Sequence, residues 1–113
     1  MGADLVVVYY GIKKVVEDSA EVLHLEEDEH PWQVLADGDS LRVWWGNCVT
    51  PTNPEAYYVL LGAELGRFGG EALHSLTIAD ADLLRTMSET RESLTKAGLQ
   101  DEPAIQVQLD VDD

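Results

Sequence analysis

Two uninterrupted apolar runs constrain the fold most, Leu5 to Tyr10 (Leu-Val-Val-Val-Tyr-Tyr) and Ala56 to Leu61 (Ala-Tyr-Tyr-Val-Leu-Leu). A strand with one wet face alternates polar and apolar residues. Runs rich in β-branched and aromatic side chains without that alternation therefore predict strands covered on both faces. Both runs are far shorter than the ~20 residues a membrane-crossing helix needs. The first extends from Asp4 to Val16 and reads as the central strand, with Gly11 marking a bulge or a close backbone approach. The second extends from Ala56 to Leu65. It is followed by a turn at Gly66-Arg67-Phe68-Gly69-Gly70 and a return strand over Ala72 to Ile78.

The remaining segments complete an α+β pattern. Glu17 to His30 holds seven acidic residues and no lysine or arginine, and its Val22-Leu23-His24-Leu25 reads equally as a short strand or a helical turn. Pro31 biases His30 toward an extended conformation and ends any helix there. Gln33 to Ala36 and Leu41 to Trp45 read as two strands around the Asp37-Gly38-Asp39-Ser40 turn. Gly46 to Glu55, with Asn47, Pro51, Asn53 and Pro54, reads as a loop. Helix periodicity is clearest over Ala79 to Ala97, where Leu83, Met87, Thr90, Leu94 and Ala97 repeat every three or four residues. Thr77 or Asp80 is the expected cap, and Gly98-Leu99 the expected left-handed stop. Ile105, Val107, Leu109 and Val111 alternate with polar residues, predicting a last strand with its apolar face on the core. The expected fold is a single domain over residues 1–113. It has a mostly antiparallel sheet of about five strands with the 79–97 helix on one face.

Charge decides which partners are open to such a domain. The 113 residues carry 22 acidic and 7 basic side chains, a net of −15. So few cations exclude a binder of the phosphate backbone of nucleic acids. One cysteine, Cys48, excludes a disulfide within the chain and a Cys-based structural zinc site. Met1 is followed by Gly2-Ala3-Asp4 rather than by a basic stretch, so no secretory leader is expected and a cytoplasmic location is.

Motifs for chemistry are weak throughout. His24 and His30 bracket Leu-Glu-Glu-Asp-Glu, a donor set suited to a divalent cation. Residues at i and i+6 share neither a helix face nor a zincin spacing, so a solvated acidic loop is the simpler reading. Asp37-Gly38-Asp39-Ser40 lacks the later oxygen ligands of a calcium loop. Acidic surroundings disfavour a Cys48 thiolate. There is no phosphate-cradling glycine motif and no nucleophile elbow. No cofactor or catalytic residue is assigned.

The function expected from these residues is a small acidic protein-binding module facing a basic protein surface. It includes the possibility of an inhibitor that mimics DNA before a nucleic-acid-binding protein. Its expected contact residues are Glu17, Asp18, Glu21, Glu26, Glu27, Asp28 and Glu29, joined by Asp110, Asp112 and Asp113 if the tail lies nearby. Trp45 serves as aromatic anchor, because Trp is enriched at binding hot spots. Two alternatives stand beside it: general acidity of a salt-adapted cell without a charge-specific partner, and a small metal-dependent hydrolase built on residues 24–30, with His74 as a further ligand.

Overall fold

The computed structural model describes residues 5–37, 41–48, 50–52, 56–69 and 75–110. The two apolar runs form its longest strands, β1 (Leu5–Val16) and β3 (Ala56–Phe68), paired antiparallel along nearly their whole length. β2 (Arg42–Cys48) pairs with the first half of β3, and β4 (Ala104–Asp110) with the first half of β1. The sheet has four antiparallel strands in the order β2-β3-β1-β4, so both long strands are interior, as their apolar composition requires.

Helices cover one face. Ile12, Val16, Val59 and Leu61 meet Leu25 of α1 (Ser19–Glu26), Trp32 of α2 (Pro31–Asp37) and Leu94 of α3 (Asp80–Lys96) in one buried cluster. A second cluster, Val7, Tyr9, Cys48, Ala56, Tyr58 and Leu60, fills the other face and contains no residue of the described helices. The ends of the two outer strands meet there: Tyr58 Oη donates to Asp110 Oδ2 at 2.9 Å, and a Cβ on Gly46 would stand 2.5 Å from that oxygen. That face is concave. The bend has a backbone cause where Gly11 pairs with Gly62: a Cβ on Gly11 would overlap the Leu61 carbonyl oxygen and lie 2.8 Å from the Gly62 Cα. Gly11 thus marks a close approach, while the register shift lies at Val8/Tyr9.

Several expectations are corrected. Among the described residues there are four strands rather than five and three helices rather than one. Val22 to Leu25 is helical because Asp18 caps α1, its Oδ1 accepting from the N–H groups of Ala20 (2.7 Å) and Glu21 (3.3 Å). Gln33 to Ala36 is helical because Pro31 starts a helix instead of ending one. Proline fits the first helical position, where no N–H is needed. His30 then acts as the cap: Nδ1 accepts the Trp32 N–H (3.1 Å), while Gln33 Oε1 accepts the His30 N–H (3.0 Å), a reciprocal capping box.

Gly46, Asn47 and Cys48 continue β2 rather than opening a loop, and Gly66 to Phe68 continue β3 rather than turning. Of the proposed return strand, Ser75 to Ile78 is not a strand, and Ala72 to His74 lie outside the described residues, as do Gly38 to Ser40. α3 starts at Asp80, and Ala79 at the cap position gives no side-chain cap. It stops as expected, in a Schellman motif at Gly98 (φ 82°), with the Leu99 N–H donating to the Leu94 carbonyl at 3.0 Å.

The largest correction concerns β4. It pairs inside the main sheet, but as an edge strand with its faces inverted from expectation. Ile105, Val107 and Leu109 are 54%, 66% and 46% exposed, whereas Gln106, Gln108 and Asp110 are half-buried. Register explains this: Val107 stands opposite Val8 and Ile105 opposite Tyr10, on the helix side. α3 packs on β1 and β3 and leaves β4 bare. Val111 lies outside the described residues.

Candidate functional site

The acidic segment is a helix with a tight stop rather than a loop. α1 ends in a Schellman motif in which the Asp28 N–H reaches the Leu25 carbonyl (3.2 Å) and the Glu29 N–H the His24 carbonyl (2.8 Å). Asp28 occupies the left-handed position (φ 58°), which Asp tolerates better than most residues. The buried Gln33 holds this turn against α2, its Nε2 donating to the Leu25 carbonyl at 3.0 Å and to Asp28 Oδ1 at 3.4 Å.

The expected contact residues divide in two. Asp18 is a cap, Glu17 accepts from the Thr50 hydroxyl at 3.4 Å, and Glu21 is ion-paired to Lys14 and bonded to His30 Nε2 at 2.8 Å. Asp28 is tied to Gln33. Glu26, Glu27 and Glu29 are exposed and make no ion pair among the described residues. These three crowd the negative end of the α1 dipole, where carboxylates are unfavourable. Asp110 lies on the opposite face, bonded to Tyr58; Asp112 and Asp113 lie outside the described residues.

Trp45 does stand beside that turn. Trp44 and Trp45 point to opposite faces of β2, but β2 is an edge strand, so both rings stay half-buried. Asp28, Gln33, Val43, Trp44 and Trp45 line a cleft of about 440 Å³ between the α1–α2 turn and β2. The Trp45 ring packs at 6.0 Å from Tyr57. Trp44 Nε1 donates to Tyr58 Oη at 2.8 Å, and Tyr58 in turn donates to Asp110. Burial first, and then the bond to Asp110, pushes the Tyr58 hydroxyl far above the ordinary phenol range, so it stays a donor.

The histidines of the metal reading do not converge among the described residues. His24 is exposed on α1, whereas His30 is buried with both ring nitrogens engaged. His74 lies outside the described residues. Among the described residues no three His, Cys, Asp or Glu side chains come together. Cys48 is buried in the concave cluster, and burial first pushes its thiol up, which disfavours a nucleophile.

Glu21 links the two helices to the sheet and makes this region pH-sensitive. The hydrogen bond from Lys14 is the largest influence lowering its carboxyl below the ordinary 4.5; burial opposes, and His30 adds to the lowering. A carboxyl depressed in the folded state stabilises the fold above its unfolded pKa and loses that contribution as pH falls through the folded value. Glu21→Gln is therefore expected to lower the urea midpoint at neutral pH, with the gap to wild type closing on acidification below about pH 4. A gap independent of pH would contradict the assignment.

No family model, curated protein or solved structure matches this chain. No helix among the described residues is long and apolar enough to cross a membrane.

Proposed function

We propose that this chain is a small acidic binding module that docks on a basic protein surface, seating a partner Lys or Arg side chain in the cleft between the α1–α2 turn and β2. One observation carries the reading. Glu26, Glu27 and Glu29, which make no ion pair among the described residues, flank Asp28, and Asp28 shares its cleft with the half-exposed Trp45 and with Trp44. A carboxylate beside indole faces suits a cation, through charge and cation–π attraction together. The surrounding acids steer a basic partner and raise its on-rate. Carboxylates held at the wrong end of a helix dipole are a local stability cost of the kind found at functional surfaces. An inhibitor of a nucleic-acid-binding protein in the cytoplasm fits this reading. Its contact is then a short acidic patch with an aromatic anchor, since Asp18, Glu21 and Asp110 are engaged elsewhere.

Calorimetric titration with an octa-arginine peptide at low salt tests it. Neutralising Glu26, Glu27 and Glu29 to Gln is expected to weaken binding about tenfold, while the free protein becomes slightly more stable. Neutralising Glu89, Glu92 and Glu102 removes the same charge elsewhere and is expected to change affinity less than about twofold. Equal losses from both triple variants would mean that only net charge matters and would overturn the reading.

A further inference from the structure

The chain has four arginines against its net charge of −15. Three of them are ion-paired: Arg85 with Asp82 and Glu89, Arg91 with Glu102, and Arg67 with Glu64. Arg67 and the fourth, Arg42, line one cleft of about 420 Å³ with Tyr9, Trp44 and Glu64, a cleft that shares Val43 and Trp44 with the one beside the acidic turn. That volume lies within the range of small-molecule sites.

Sheet register builds the cluster. Tyr9 pairs with Glu64 and Val7 with Arg67, although residues three apart in a regular strand face opposite ways. The bulge between these two pairs adds one residue to β3 and returns Glu64 and Arg67 to the same concave face. On β2, Arg42 and Trp44 fall opposite Gly62 and Leu60, again on that face. Arg67 is already oriented: its guanidinium lies 4.9 Å from the Trp44 ring centre, and its Nε is 3.3 Å from Glu64 Oε1. Arg42 is exposed and makes no ion pair among the described residues.

Tyr9 contributes a neutral donor. The residue is 1% exposed, and its hydroxyl is pushed up to about 12 by burial first and by Glu64 second, with Arg42 and Arg67 pulling the other way. With Glu64 offsetting Arg67, the described residues lining the cleft keep one net positive charge in an otherwise anion-repelling molecule.

We propose that this cleft binds the oxyanion of a small ligand, a phosphate monoester or a carboxylate, between Arg42 and Arg67. Guanidinium groups offer paired N–H donors that match the geometry of both oxyanions. Arg42 supplies the uncompensated charge, Arg67 a fork held in place by Trp44 and Glu64, and Tyr9 lines the floor. The ligand site shares Val43 and Trp44 with the cleft beside the acidic turn but none of its charged residues, so either reading can fail without the other.

Titrating phenyl phosphate and benzoate into the whole chain, with phenol as uncharged control, tests the site through the side-chain Nε–Hε NMR signals of Arg42 and Arg67. Saturable shifts at both arginines with either anion, absent with phenol, are expected, and the tighter of the two anions names the ligand class. Arg42→Ala is expected to weaken binding at least about tenfold. Its melting temperature should stay unchanged, because Arg42 is exposed. Equal shifts with phenol, no saturable shift with either anion, or unchanged affinity in the Arg42→Ala variant would overturn the proposal.

Discussion

Gly11→Ala is expected to destabilise the protein by about 3 kcal/mol, the upper end of what overpacking that forces a backbone to move costs. Gly11 sits in the middle of an interior strand, and its missing Cβ leaves room for the backbone of Leu61 and Gly62 across the β1–β3 pair. The three atoms nearest the new methyl are all main chain, which no side-chain rotation relieves. At ~4 °C or more per kcal/mol for a domain of this size, the melting temperature should fall by at least ~12 °C. A midpoint within a few degrees of wild type, read by circular dichroism, would show that the strands do not approach this closely.

Leu25→Ala should cost about 2–5 kcal/mol, as large-to-small changes at closed core positions do. Leu25 is fully buried, joining α1 to the cluster that includes Val16, Trp32 and Leu61. Leu23, two residues away on the same helix, is 54% exposed, and its change to alanine should stay within about 0.5 kcal/mol. Similar costs at both positions would be the signature of a strand or loop rather than this helix face.

Which parts of the fold were legible in the sequence follows from where the forces are local. The two continuous apolar runs identified the interior strands because no other element buries both faces so uniformly. Leu94, Gly98 and Leu99 announced the end of α3, since a left-handed glycine followed by an apolar contact is a local device. α1 and α2 were missed, although their caps are written in the chain. Asp18-Ser19-Ala20-Glu21 has capping-box spacing, and His30-Pro31-Trp32-Gln33 has the same spacing with proline at the first helical position. Histidine as the capping acceptor is the unusual part.

β4 failed for a different reason. Its alternation correctly gave a strand, but alternation cannot say which face a neighbouring helix covers, and α3 stops short of it. The candidate site shows the same limit. Glu26, Glu27 and Glu29 stood out by composition, while their separation from Asp18 and Glu21 depends on partners as distant as Lys14 and His30. The Arg42–Arg67 cleft depends on a bulge that only pairing reveals.

Where a basic partner touches the surface is the most direct test of the proposed function. Octa-arginine is titrated into isotopically labelled protein, and the indole N–H signals of Trp44 and Trp45 are followed with the amides of Glu26 to Glu29. The account predicts saturable shifts concentrated at Trp45 and the α1–α2 turn, with α3 carboxylates such as Glu89 and Glu92 unmoved. Shifts spread evenly over the acidic surface, or concentrated on α3, would contradict it.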